Sequence, residues 1–309
     1  MTYLISGIGL IFLLLGSNYL IKNIVLLAKK INVSQFIIAS CTIALGTTMP
    51  ELTTSLKSIL SNPPHPGIAV GNLIGSNIAN ILLIIGIAAI IYPISINMKK
   101  IINLEIFISF AIILFPASII FINLSKDITF CLSILIFVLF IYLIYKRINS
   151  ENNNDQNIKI IDQSTSFILM KILVSIIGLI IGSKFLIDGS VQIAQQFGVS
   201  ERVIGLSLLA IGTSLPELST AIMASIKKIN GVALGNVLGA NTYNILGILS
   251  IVEIIEPSSI LNNTKRIYIY FLIISTIILS LLIFKTKKIN RVYGLLFLFI
   301  YFFYIYLIY

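Results

Sequence analysis

Two glutamates occupy places in this sequence where acidic side chains are rare. Glu51 lies in "LGTTMPELTTSL", which begins at Leu45, and Glu217 lies in "IGTSLPELSTAI", which begins at Ile211. Each glutamate directly follows a proline inside a long apolar run. An unpaired carboxylate in the middle of a bilayer costs at least about 2.5–3.5 kcal/mol. We therefore interpret this matched pair of carboxylates as ligands of a cation.

The prolines beside these glutamates should free backbone oxygens for the same purpose. Pro50 and Pro216 have no N–H, so the carbonyls of Gly46 and Gly212 lose their helical partners. Freed backbone at membrane depth is tolerated where it lines a cavity or meets a ligand. The C-terminal end of the preceding half-helix adds a negative dipole at the same place. The sequence therefore predicts two broken helices that offer oxygens to a cation.

Two related motifs, "GNLIGSNIAN" from Gly71 and "GNVLGANTYN" from Gly235, supply further oxygens. The first motif spaces its polar residues four apart, which places them near one helical face. We predict that Asn80 and its counterpart Asn244 are ligands, and that glycines such as Gly71 and Gly75 let another helix approach closely. The other amides are interpreted as hydrogen-bonding groups between helices: Asn72, Asn77, Asn236 and Asn241. An all-oxygen set suits Ca²⁺ or Na⁺, and does not suit zinc or copper.

The composition places these motifs in a membrane. The chain has 309 residues, of which 58% are hydrophobic and 10% are charged, and its mean hydropathy is +1.05. Such a composition excludes an ordinary soluble domain, and the chain is predicted to be an all-α polytopic membrane protein with a retained first span. The ten predicted transmembrane helices are 3–28, 36–60, 68–92, 103–122, 128–146, 167–195, 202–226, 231–255, 267–284 and 291–309.

An internal repeat organises these spans. Shifting the sequence by 166 positions aligns "GSNYLIKNIVLLAKKINVS" from Gly16 with "GSKFLIDGSVQIAQQFGVS" from Gly182. The same shift aligns the two Pro-Glu motifs, and a shift of 164 aligns the two Gly-Asn motifs. Five spans per half make the repeats inverted, which is the architecture of secondary transporters. The predicted units are 1–146, a linker at 147–166 and 167–309, with alpha-repeats at about 36–92 and 202–255.

The net charge of +10 is interpreted as a topology signal, and not as a sign of nucleic-acid binding. Loops after odd-numbered spans carry fourteen Lys or Arg residues, among them Arg147, and loops after even-numbered spans carry five. This positive-inside bias predicts a cytoplasmic linker and outside termini. Cys41 and Cys131 are expected to be free thiols inside spans, and His65 is expected to be a solvated loop residue.

The paired motifs "ALGTTMPE…GNLIGSNIAN" and "AIGTSLPE…GNVLGANTYN" closely resemble the two alpha-repeats of the cation/calcium exchanger superfamily, in particular its prokaryotic sodium/calcium exchanger branch. The likeness covers essentially the whole chain. It implies a Na⁺/Ca²⁺ antiporter of a prokaryotic inner membrane, which is not an enzyme, needs no cofactor and carries Ca²⁺ and Na⁺.

The resemblance also implies a ligand set. Glu51 and Glu217 would be the central Ca²⁺-binding carboxylates. The other implied ligands are hydroxyl, carbonyl and amide oxygens of Ala44, Thr47, Thr48, Ser76, Asn80, Ala210, Thr213, Ser214 and Asn244.

Two departures from the pattern bear on coupling. Ala240 stands where the first repeat has Ser76, so a Na⁺ ligand is expected to be missing. Asn244 stands where many relatives carry Asp, which leaves two carboxylates in the centre and makes K⁺ dependence unexpected. Exchange of 3 Na⁺ or of 2 Na⁺ for one Ca²⁺ both remain open, and we favour the first because the hydroxyl and carbonyl ligands are intact.

Other functions remain open at this point. A proton-coupled cation antiporter could use the same glutamates, although the extra Glu typical of that branch is absent from the Gly-Asn motif. A passive channel is disfavoured because buried charged sites suit occlusion better than fast conduction. A membrane-embedded hydrolase is disfavoured because there is no HExxH motif, no paired intramembrane aspartates and no Ser/His pairing at depth.

Overall fold

Long apolar runs become helices in this chain because a helix satisfies its own backbone hydrogen bonds within lipid. A computed structural model describes residues 2–95, 102–149, 163–196, 212–260 and 265–308. The helices are α1 (Thr2–Lys30), α2a (Gln35–Thr47), α2b (Met49–Leu60), α3 (Pro66–Ile91), α4 (Ile102–Ile122), α5 (Lys126–Asn149), α6 (Thr165–Gln196), α7 (Leu215–Ile226), α8 (Asn230–Ile255), α9 (Arg266–Thr286) and α10 (Arg291–Ile308).

Most predicted spans coincide with a helix to within a few residues. In the described part of the chain, eight helices are long and apolar enough to cross a membrane, and the bent pair α2a–α2b raises the number to nine. The predicted seventh span is represented by α7 alone, because its first half falls in 197–211, outside the described residues. The interior of the predicted linker, 150–162, also lies outside them.

The second predicted span contains two helices that meet at Thr48. Helix α2a ends at Thr47, α2b begins at Met49, and the two axes are bent by 41°. Thr48 itself has φ −83° and ψ 2°. Its repeat counterpart Ser214 has nearly the same backbone angles, φ −87° and ψ 8°, and α7 begins directly after it. In both places proline occupies the first turn of the new helix, where its missing N–H costs nothing.

In the part of the chain that the structure describes, four helices contain π-helical turns, which are rare and often occur at functional sites. They lie at Ala39–Ile43 in α2a, Asn80–Ile84 in α3, Tyr243–Leu249 in α8 and Leu282–Thr286 in α9. The turns in α3 and α8 each contain one of the matched amides, Asn80 or Asn244.

Contacts between loops place several connections on one face of the molecule. Two short strands, β1 (Ile94–Ser95) after α3 and β2 (Lys288–Ile289) before α10, pair in antiparallel fashion. Asn230, at the start of α8, donates to Ser95 Oγ at 2.7 Å. The connections after α3, α7 and α9 therefore share one side, as the charge distribution predicts.

The buried interior centres on α8. Nearly all of its described side chains are buried, and it packs against α2a, α3, α5 and α7. Helices α1 and α6 form a long antiparallel pair at the side of this group, held by close contact between Gly9 and Gly182. The helices of the two Pro-Glu motifs, α2b and α7, thus pack against the helices of the Gly-Asn motifs, α3 and α8.

The structure corrects the interpretation of Arg147 as a solvated loop residue. Arg147 lies in α5, is fully buried, and forms a two-pronged ion pair with Glu105 of α4: Nε to Oε1 and Nη2 to Oε2 are both 2.8 Å. Nη2 also donates to Thr242 Oγ1 of α8 at 3.3 Å. Burial is tolerated because the guanidinium meets a carboxylate in matching geometry. Without Arg147, thirteen basic residues are counted in or beside the connections after odd-numbered spans, against five after even-numbered spans, so the charge bias persists.

Other expectations of the sequence have mixed outcomes. Cys41 and Cys131 are free, although Cys131 is exposed on the surface of α5. His65 is exposed at the start of α3. The expected close approach at Gly71 and Gly75 is not seen, since no described atom lies within 4 Å of a Cβ built at either position. By repeat symmetry their neighbours would belong to 202–211, which the structure does not describe.

Candidate cation site

The Glu51 carboxylate lies in the first turn of α2b and is almost completely buried. Its Oε1 accepts hydrogen bonds from Ser76 Oγ of α3 at 3.5 Å and from Ser214 Oγ, before α7, at 3.4 Å. Its Oε2 has no hydrogen-bond partner among the described residues. One oxygen of Glu51 is therefore weakly held by hydroxyls from both halves, and the other is available to a ligand.

Glu217 takes the corresponding place in the first turn of α7 and is equally buried. Neither of its carboxylate oxygens has a hydrogen-bond partner in the described part of the chain. The Ser76-to-Ala240 departure contributes to this difference, because Ala240 is buried but has no hydroxyl to donate. A buried carboxylate without partners is costly, and a cation would offset that cost.

The two halves exchange one contact reciprocally. Thr47 Oγ1 of α2a donates to Asn236 Oδ1 of α8 at 3.3 Å. Thr213 Oγ1, next to α7, donates to Asn72 Oδ1 of α3 at 3.1 Å. Because Thr213 is the repeat counterpart of Thr47 and Asn72 that of Asn236, each Pro-Glu motif is joined to the Gly-Asn helix of the other half. Asn72 and Asn236 thus join helices, as their sequence context predicts.

The remaining amides surround the same interior. Asn80 donates from Nδ2 to Asn241 Oδ1 at 3.0 Å, and its own Oδ1 has no described partner. Asn77 donates to Leu73 O of its own helix at 2.8 Å, and it makes no bond to another helix among the described residues. Asn244 is fully buried, and both its side-chain oxygen and nitrogen lack partners among the described residues.

Backbone carbonyls near Thr48 complete the first half of the site. Ala44 O accepts from Thr48 Oγ1 at 2.8 Å and from Thr47 Oγ1 at 3.4 Å. Ala44 O also keeps its helical bond from the Thr48 N–H at 3.0 Å, so the hydroxyls add to that bond. Ala210, the counterpart of Ala44, lies outside the described residues.

Close packing fixes α8 against α2a beside these carbonyls. A Cβ built at Gly239 would lie 2.3 Å from Ser40 O and 2.6 Å from Ala44 Cβ, and one at Gly235 would lie 2.6 Å from Phe36 O. Only glycine fits at such distances. The glycines of the second Gly-Asn motif therefore allow the close helix contact that the sequence predicts for such residues.

Two polar contacts at the site were not identified from the sequence. Tyr243 OH donates to Cys41 O at 3.0 Å, inside the π-helical turn that precedes Ala44. Ser183 Oγ of α6 donates at 2.8 Å to the carbonyl of Gly212, the group that Pro216 frees. The signal for Ser183 was its place in the repeat, where it matches Ser17.

The collected geometry can bind a cation with several oxygens. Two carboxylates, hydroxyls and amide oxygens from α2a–α2b, α3, α7 and α8 lie in one buried region, and five of their oxygens have no partner among the described residues: Glu51 Oε2, Glu217 Oε1, Glu217 Oε2, Asn80 Oδ1 and Asn244 Oδ1. Flexible oxygen coordination of this kind is what Ca²⁺ prefers.

Comparison with known proteins agrees with this geometry. A family model described as sodium/calcium exchanger protein matches residues 1–148 and 167–309. An uncharacterised membrane protein of Methanocaldococcus jannaschii is 34% identical over 95% of this chain and 93% of its own length. The sodium/calcium exchanger MaX1 of Methanosarcina acetivorans is 28% identical over 84% of each chain.

A solved structure of a sodium-calcium exchanger is also similar to this chain. The sodium-calcium exchanger NCX_Mj, soaked with zero Na⁺ and Ca²⁺, superposes with a TM-score of 0.84 and 31% identity over 100% of both chains. The family match covers nearly the whole sequence on both sides of the 149–166 segment. This chain belongs to the sodium/calcium exchanger protein family.

Proposed function

We propose that this chain is a secondary antiporter that exchanges Na⁺ for Ca²⁺ across a membrane by alternating access, with extrusion of Ca²⁺ as its physiological direction. The observation that carries this proposal is the pair of buried carboxylates, Glu51 and Glu217, of which three oxygens have no partner in the described structure. Relatives whose names state sodium/calcium exchange support the choice of ions. The protein acts on ions without covalent chemistry, so it is not an enzyme and needs no cofactor.

The proposed architecture has ten spans in two inverted five-helix halves, with the second and seventh spans broken beside Pro50 and Pro216. The bend at Thr48 and the matching backbone of Ser214 support it. The proposed location is a prokaryotic inner membrane with outside termini and a cytoplasmic linker. The charge bias of the loops and the shared side of the connections after α3, α7 and α9 support this orientation.

In this proposal, the glutamates hold Ca²⁺ and neutral oxygens around them hold Na⁺. Glu51 and Glu217 together supply two negative charges, which neutralise one Ca²⁺. The Na⁺ ligands would be the hydroxyls of Thr47, Thr48, Thr213, Ser214 and Ser76 and the carbonyls of Ala44 and Ala210. The amides of Asn80 and Asn244 would complete the site. Because the two carboxylates balance the charge of either ion in one buried region, Ca²⁺ and Na⁺ compete for the site, and competition couples the two fluxes.

Charge balance alone favours 2:1 exchange, whereas the intact hydroxyl and carbonyl ligands favour 3:1 exchange. Two Na⁺ ions neutralise the two carboxylates, and a third would leave a net positive charge in a weakly screening interior. We propose 3:1 exchange, with the third Na⁺ held by neutral oxygens around Thr47 and Thr213. Reversal potentials distinguish the cases, because 2:1 exchange ignores membrane voltage and 3:1 exchange shifts with it.

The test of function is ⁴⁵Ca²⁺ uptake into proteoliposomes. An outward Na⁺ gradient should drive Ca²⁺ into Na⁺-loaded vesicles without added K⁺. Vesicles with a pH gradient and no Na⁺ are the matched control. Uptake that follows the pH gradient and ignores Na⁺ would identify a proton-coupled antiporter, and uptake that needs no counter-ion gradient would identify a passive channel.

A further inference from the structure

Helix α6 holds the second broken helix at Gly212 through two residues one turn apart. Ser183 donates to Gly212 O at 2.8 Å, and both Ser183 and Gly212 are buried. A Cβ built at Gly212 would lie 2.5 Å from Ile187 Cδ1, so the isoleucine covers the glycine directly. The serine thus supplies the hydrogen bond that Pro216 cannot, and the isoleucine fills the space beside it.

The first half carries the same four residues. The shift of 166 positions pairs Ser183 with Ser17, Ile187 with Ile21, Gly212 with Gly46 and Pro216 with Pro50. Every pair is chemically identical. The sequence of α1 can therefore make the same contact with Gly46 that α6 makes with Gly212.

The structure shows this contact on one side only. Ser17, although fully buried, donates to Leu14 O of its own helix at 3.2 Å. The three atoms nearest to a Cβ built at Gly46 all belong to Ile176 of α6, the closest at 2.4 Å. Gly46 is partly exposed, whereas Gly212 is buried. The two sets of residues, which are of the same types, therefore make different contacts in this structure.

We propose that Ser183 and Ser17 are positioning residues that alternate. The bond from Ser183 to Gly212 holds the antiporter in one facing state, and a bond from Ser17 to Gly46 forms in the opposite state. In an inverted repeat, the two facing states are related by exchange of the conformations of the two halves, so a contact made by one half in one state is made by the other half in the next. This inference rests on the proposed antiport function.

The alternation acts directly on the site. Gly212 precedes Thr213 and Ser214, and Gly46 precedes Thr47 and Thr48. Fixing the glycine carbonyl fixes the start of the hydroxyl pair that follows it. Each serine therefore determines which broken helix is held and which is free to move, and it does so without contacting the ion.

The test compares Ser183→Ala with Ser17→Ala. The apparent KM for Ca²⁺ is measured separately in right-side-out and inside-out membrane vesicles. Loss of one hydrogen bond should shift the ratio of the two KM values about two- to tenfold. The two variants should shift it in opposite directions, and the double variant should return it close to the wild-type ratio. Ser175→Ala is the matched control, because Ser175 is also buried on α6 but donates to Lys171 O of its own helix.

Amide hydrogen exchange gives a readout that does not depend on transport. Ser183→Ala should speed exchange in 212–218 and slow it in 46–52, and Ser17→Ala should do the reverse. A wild-type protein without Na⁺-driven uptake would refute the proposed function, and this comparison would still test the serines. Shifts in the same direction for both variants, or a Ser183→Ala variant that behaves like Ser175→Ala, would overturn the inference. If Ser183→Ala does not fold, Ser183→Cys, whose thiol is a weak donor, should give the same direction of shift.

Discussion

Replacing a candidate carboxylate by glutamine removes one negative charge and keeps the size of the side chain. Glu217→Gln removes no hydrogen bond to a described residue. In Glu51→Gln, the amide oxygen can still accept hydrogen bonds from Ser76 and Ser214. Both variants should fold, because a neutral amide is easier to bury than a carboxylate. Removing one of two charges that face Ca²⁺ should cost about 3 kcal/mol of binding free energy, or roughly a hundredfold in Kd.

This loss is measurable as ligand-dependent stability. With Ca²⁺ at about one hundred times the wild-type Kd, bound Ca²⁺ should stabilise the wild-type protein by about 2.7 kcal/mol. A variant with a hundredfold weaker Kd should gain only about 0.4 kcal/mol under the same conditions. Thermal unfolding in detergent with and without Ca²⁺ measures the difference, and ⁴⁵Ca²⁺ uptake by the same preparations should fall close to background.

Glu253→Gln is the matched control for a buried carboxylate outside the site. Glu253 on α8 is fully buried and accepts from the backbone N–H of Ser258 at 2.9 Å and of Ile260 at 2.6 Å. A glutamine there turns its NH₂ group toward one of these donors, which should lower stability by about 1–3 kcal/mol. The increase in the free energy of unfolding of Glu253→Gln on adding Ca²⁺ should equal that of the wild-type protein. Full Ca²⁺ stabilisation and uptake in the Glu51 and Glu217 variants would refute the assignment of both.

Three further changes test other parts of the structure. Arg147→Met should lower the free energy of unfolding by about 3–5 kcal/mol, because it leaves the buried Glu105 carboxylate unpaired. Lys146→Met, on the exposed face of α5, should change the free energy of unfolding by less than about 0.5 kcal/mol. Thermal unfolding of the two variants measures the difference. Gly239→Ala should push α8 away from α2a, lower stability by about 1–3 kcal/mol and weaken Ca²⁺ binding, while Gly178→Ala, with no described atom within 4 Å, should do neither. Asn244→Asp adds a negative charge and should raise the apparent Na⁺ affinity of exchange; an unchanged Na⁺ dependence would show that charge at this position is not limiting.

Much of the candidate site could be proposed from the sequence because its chemistry is local. Glu51 and Glu217 stand beside prolines within apolar runs, and that combination has few explanations other than a ligand. The asymmetry between the carboxylates was partly readable as well, since Ala240 has no hydroxyl. The reciprocal bonds of Thr47 and Thr213 were not predicted from the sequence, although the bridging role of Asn72 and Asn236 was.

Other features depend on the tertiary arrangement and have no local signal. Arg147 follows Lys146 at the end of an apolar run, so both look like basic residues at a membrane surface. Only the approach of Glu105, which is 42 positions away, distinguishes them. The different partners of Ser17 and Ser183 could not be predicted, because the four matched residues of each set are of the same types and only the tertiary arrangement distinguishes them.

The ion pair between Arg147 and Glu105 also constrains how the chain is assembled during synthesis. Glu105 enters the membrane machinery first, and its partner follows 42 residues later, about 2–8 s at ordinary rates of translation. Until then the acid must stay hydrated near the surface, so α4 and α5 complete their insertion as a hairpin. Thr242, a further 95 residues along, reaches the guanidinium only after α8 has been made. The three groups can therefore come together only in the order α4, α5, α8. A ribosome-bound chain stopped before α8 would lack the bond from Arg147 to Thr242.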